Sequence, residues 1–152
     1  MQTKNNFSIP VVLAFLIFGF FFINYVPKNF NPGKIKYVNI AGQKLEVELA
    51  LTPEEQAQGL GGKTGLGGNE GMLFVFERPE KHYFWMKGMN FAIDIIWLNE
   101  DLRVIYIKKD AKPDNFLETY GPDENSKYVL EVNAGFSDKH NLKVGNEVRF
   151  SY

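Results

Sequence analysis

Ile93-Asp94-Ile95-Ile96-Trp97-Leu98-Asn99-Glu100-Asp101-Leu102-Arg103-Val104-Ile105-Tyr106-Ile107-Lys108 contains two β-like runs, Asp94 to Asn99 and Leu102 to Lys108. A tight turn at Asn99-Glu100-Asp101 joins them. β-Branched and aromatic residues crowd both runs, as they do in half-buried strands. Similar runs lie on either side. Ile35 to Ile40 and Gln43 to Leu51 flank an Ala41-Gly42 turn, and in the second Leu45, Val47 and Leu49 alternate with Glu46 and Glu48. Gly71 to Phe76, Tyr83 to Met86, Lys127 to Val132 and Glu147 to Tyr152 complete the set. One short helix interrupts it: Thr52 can cap, Pro53 suits the first helical position, Glu55 closes a capping box, and Gly59 can end the helix in a left-handed conformation. The expected fold is mainly all-β, a small sandwich or barrel with one short helix. A parallel α/β fold lacks the helices it needs.

The amino-terminal segment has a different character. From Ile9 to Val26 there is no charge, and five of the 14 Phe fall there. As a helix this stretch is about 27 Å long, close to the roughly 30 Å of a hydrocarbon core. Residues 1–26 are therefore read as a membrane anchor, with the lipid bilayer as partner through residues 9–26. Residues 27–33 form a turn-rich linker and 34–152 a soluble β-rich domain. The apolar region is long and Asn24-Tyr25-Val26-Pro27 is a poor cleavage site, so an uncleaved signal anchor is preferred to a cleaved signal peptide. The short leading flank fits a single-pass protein whose carboxy-terminal domain is extracytoplasmic.

Composition removes several functions. The 17 Lys+Arg against 18 Asp+Glu leave no basic footprint for nucleic acid. With no Cys there is no disulfide, thiolate metal site or thiol nucleophile. Gly62-Lys63-Thr64 resembles the end of a phosphate loop, but Ala57 stands where the leading Gly belongs, and Gly65, Gly67 and Gly68 forbid the helix that must follow. His82 and His140 are in no metal-ligand spacing, Asp123-Glu124-Asn125 lacks the rest of a calcium loop, and no G-x-S-x-G occurs. No cofactor and no metal is expected.

The unusual stretch is Tyr83-Phe84-Trp85-Met86-Lys87-Gly88-Met89-Asn90, leading into the run that carries Asp94. Core packing accounts for Phe84, Met86, Ile93 and Ile95. It does not account for Asp94, since a carboxylate among apolar residues needs a partner. Lys87, Arg103 or backbone N–H groups could serve. Glu131 is embedded similarly in Tyr128-Val129-Leu130-Glu131-Val132. These acids and Lys87 could form a general acid/base set, or the polar end of a pocket, or could lie on the wet face of a sheet.

Gly59-Leu60, Gly71-Met72-Leu73-Phe74-Val75-Phe76, Phe84-Trp85-Met86-Lys87, Ile93-Asp94-Ile95-Ile96, Tyr128-Val129-Leu130-Glu131 and Ala134-Gly135 together resemble the family known as domain of unknown function 192. The likeness runs over roughly Lys44 to Phe150. It implies a small β-rich domain, often behind a signal or anchor segment, with no established activity. The chain departs from the family's usual pattern at Gln56 and Gly61, where that pattern has Arg and Met, and at Gly88-Met89-Asn90, where it has Asn-Thr after the Lys.

The leading expectation is a membrane-tethered, extracytoplasmic, non-catalytic module that binds a glycan, peptide or envelope ligand through Tyr83, Trp85, Lys87, Asp94 and Glu131. One alternative is a hydrolase or lyase with Asp94 and Glu131 as acid/base pair, which requires both carboxyls to face one cavity. Another is a protein-interaction platform presenting an exposed apolar patch.

Overall fold

The computed structural model describes residues 30–115 and 117–152. The expected anchor, 9–26, lies outside them. Among the described residues no helix is long and apolar enough to cross a membrane. Pro32–Tyr152 forms one compact unit.

The described residues contain nine strands: β1 Tyr37–Ile40, β2 Gln43–Ala50, β3 Glu70–Glu80, β4 Phe84–Trp85, β5 Ile93–Leu98, β6 Val104–Ala111, β7 Thr119–Tyr120, β8 Ser126–Asn133 and β9 Val148–Ser151. Seven form one sheet in the order β6-β5-β8-β3-β2-β1-β9, while β4 pairs with β7. All pairings are antiparallel except β2 with β3. The sheet curls until its two ends meet. Arg103 bridges Glu147, Val148 N–H donates to Leu102 O at 2.8 Å, and Gly145 N–H donates to Val104 O at 2.7 Å. The expected sandwich or barrel is thus one curled sheet.

Local signals place the helix α1, Pro53–Gln58, as the sequence leads one to expect. Thr52 Oγ1 accepts from Glu55 N–H at 3.2 Å, and Glu55 Oε2 accepts from Thr52 N–H at 2.9 Å. Gly59 ends it at φ 51° and ψ −135°, a positive-φ conformation outside the left-handed helical region that was expected. A second short helix, α2 (Phe136–Lys139), and the two-residue β7 were not anticipated. Neither has a sequence period of its own, and both exist through what they pack against.

Every residue of β5 is buried, because apolar clusters cover both faces of the sheet's central strands. On one face Ile96, Leu98, Leu130 and Val132 join the interior of the curl. On the other Ile93, Ile95, Trp97 and Val129 are covered by Leu60, Met86 and Tyr120 from the connecting segments. Burial on both faces explains a run of near-continuous apolar residues in place of alternation. Trp97, fully buried, donates its indole N–H to His82 O at 2.8 Å and so ties the 81–85 segment to the sheet.

Candidate functional site

Alternation along β8 puts Tyr128, Leu130 and Val132 inside the curl and Val129 and Glu131 on the outer face. Glu131 is flanked there by Met72 of β3 and Ile95 of β5, its register partners. It is 4% exposed, and its Oε2 has no hydrogen-bond partner among the described residues. Burial pushes the Glu131 carboxyl up to about 8. Desolvation sets this shift, so at neutral pH the group is mainly an uncharged acid with a proton to donate.

Above this carboxyl lies a pocket of about 320 Å³. The end of α1 contributes Gln56, Gly59 and Leu60, β3 contributes Phe74 and Phe76, and the segment after β3 contributes residues 81–85, Lys87 and Met89. The walls are firmly built. Phe84 meets Phe74 edge-on at 4.8 Å between ring centroids and Trp97 at 5.7 Å. The His82 ring stacks on Phe76 at 3.4 Å, and burial lowers its basicity. Gln56 Nε2 donates to Ala50 O and Val75 O at 3.3 and 3.1 Å, closing the corner between α1 and the sheet. Tyr83 and Trp85 line the same pocket while remaining about half exposed, at 53% and 55%. Lys87 Nζ lies 5.8 Å from the Trp85 ring centroid.

Four of the five residues singled out from the sequence, Tyr83, Trp85, Lys87 and Glu131, therefore line one pocket. Asp94 does not. Its register partner is Val132, so its side chain points to the opposite face of the sheet from Glu131. Neither Lys87 nor Arg103 neutralises it. Instead Asp110 N–H and Gly135 N–H donate to Oδ1 at 2.9 and 3.2 Å, and Ser137 N–H donates to Oδ2 at 2.8 Å. The Asp110 donor comes from a bulge in β6, where Ile93 faces Ala111, Ile95 faces Lys108, and Asp110 adopts φ 49°. The other two come from the start of α2, whose own N-cap, Gly135, offers no side chain. Asp94 thus caps a helix across space. It is a structural acid, and the alternative of an Asp94–Glu131 acid/base pair is excluded because a sheet separates the two carboxyls.

Reading the sequence alone missed Gly59, Leu60, Phe74, Phe76, Lys81, His82 and Phe84 as pocket residues. A usable signal existed for two: Phe74 and Phe76 are two apart on a strand and must share a face. The tip of the glycine-rich loop is occupied otherwise, since Lys63 Nζ pairs with Glu48 at 2.7 Å. Among the described residues no group of three or more His, Cys, Asp or Glu could hold a metal ion.

Solved structures share the fold. A crystal structure of a protein of unknown function from Novosphingobium aromaticivorans is 34% identical with a TM-score of 0.72, covering 76% of this chain and 84% of that one. One from Sinorhizobium meliloti, described as a "putative transcription regulator", is 27% identical with a TM-score of 0.70, covering 75% of this chain and 90% of that one. No curated protein matches the chain. Residues 36–150 match the model of the DUF192 family, described as an uncharacterized ACR, and the chain belongs to that family.

Proposed function

We propose that this protein is a membrane-tethered, extracytoplasmic ligand-binding module, without a catalytic step of its own, whose recognition site is the Glu131 pocket. The observation that carries this reading is the unpartnered Glu131 carboxyl beneath an aromatic-walled cavity. An orphaned polar group of this kind burdens the fold by roughly 1–3 kcal/mol, and a ligand that accepts its proton in a hydrogen bond relieves the burden. The cavity lies at the small end of ligand sites, so it suits a small molecule, or one unit at the end of a glycan or peptide chain from the envelope. Trp85 and Tyr83 offer flat apolar faces at its margin.

The tether rests on the charge-free, Phe-rich stretch from Ile9 to Val26. A reporter fused after Tyr152 tests orientation: activity only outside the cytoplasm is expected, and activity only in the cytoplasm refutes it. Binding is tested with envelope fractions and the full chain. Trp85→Ala and Glu131→Leu, which removes the donor with no polar atom left behind, are expected to keep the fold and lose retention. Unchanged retention by both folded variants would remove the site assignment.

A further inference from the structure

The residues of the Glu131 pocket restrict the chemistry of what it can hold, and the argument here rests on the ligand-binding reading above. Two cationic side chains, Lys81 and Lys87, line the pocket, and Glu131 is the single acidic residue lining it. Neither lysine is well neutralised. Lys87 has no ion pair among the described residues, and Lys81 reaches only Asp123, at 3.9 Å, where both side chains are exposed. An exposed pair of that length contributes little. The apolar walls include the stacked Phe76 and His82 rings, and these accept a flat or greasy body in preference to a chain of hydroxyls.

We propose that the pocket selects a small organic anion: a planar or apolar body lies along the Phe76, His82 and Trp85 rings, one anionic group meets Lys81 and Lys87, and a neutral oxygen accepts the Glu131 proton. A ligand ammonium is disfavoured, because it would share the pocket with two lysines and an acid that carries no charge. The ionisable groups facing Glu131 are few. β3 and β5 bring Met72, Phe74 and Ile95, the end of α1 brings Gly59 and Leu60, and the 81–89 segment brings Lys81, His82, Tyr83 and Lys87. Within the pocket, Glu131 thus changes charge between neutral and mildly alkaline pH. Deprotonation removes the donor and adds a negative charge beside the ligand.

The test uses three probes of one shape: phenylacetate, phenylacetamide and phenethylamine. Each is titrated into the full chain in detergent micelles and into empty micelles, with binding followed by ligand-observed NMR. The expected result is saturable binding with phenylacetate at least about tenfold tighter than phenethylamine. Lys87→Gln should weaken phenylacetate by about fivefold or more and leave phenylacetamide unchanged. Raising pH from about 6.5 to about 9 should weaken phenylacetate several-fold in the wild type and not in Glu131→Gln. Equal binding of the three probes, or tighter binding of the amine, overturns the anion assignment while the pocket reading stands. No saturable binding by any probe overturns both.

Discussion

Asp94 and Glu131 lie on neighbouring strands, both are almost wholly buried, and both belong to runs of apolar residues. In the sequence they look alike. On opposite faces of one sheet they have opposite fates: three backbone N–H groups hold the Asp94 carboxylate, and none reaches Oε2 of Glu131. The first acid connects a bulge in β6 to the start of α2 and is part of the architecture. The second is tolerated by it. Burial alone therefore does not mark a functional acid; burial without a partner, next to an opening, does.

Mutations should separate the two acids. Asp94→Ala leaves three donors without their acceptor and should cost about 3–5 kcal/mol in urea denaturation at neutral pH. A cost below about 1 kcal/mol would show that the capping network is not holding α2 and the bulge in place. Glu131 should respond to pH. Its carboxyl goes from 4.5, its ordinary value, to about 8 in the folded state, so the folded protein holds a proton that the unfolded chain has released. The associated stability is complete below about 4.5 and falls by about 1.4 kcal/mol per pH unit as pH rises towards 8, then levels. Glu131→Gln should lack that component, so the stability difference between variant and wild type should move in the variant's favour across this window.

Gly59→Ala addresses the wall beside Glu131. Its φ of 51° strains any side chain, and a Cβ would come within 3.2 Å of Phe74 Cζ and 3.8 Å of Glu131 Oε2. A loss of about 1–2 kcal/mol is expected, with weaker ligand binding. Trp85→Ala should be the mildest, changing stability by no more than about 0.5 kcal/mol because the ring is half exposed, while abolishing retention on the ligand. A large stability loss would make Trp85 a packing residue instead.

What could be read before folding follows the range of the forces involved. The α1 cap depends on residues three apart, Thr52 and Glu55, and the β1–β2 hairpin on alternation around one turn. Both were foreseeable. The partners of Asp94 come from positions 110, 135 and 137, and no local pattern announces them. Its satisfaction by backbone amides was one of several open options. The pocket had the same difficulty. The Tyr83–Lys87 stretch stood out by composition, but its meeting with Gln56, Phe74 and Glu131 is a product of the β2–α1–β3 crossover. That Glu131 faces away from Asp94 depends on strand register, which composition does not reveal.

The protonation state of Glu131 is the most direct check. The carboxyl ¹³C shift of Glu131, followed through a pH titration of the folded protein and assigned with Glu131→Gln, should show a midpoint near 8. A midpoint at or below the usual 4.5 would mean a charged, partnered group, and the neutral donor on which ligand recognition depends would not exist.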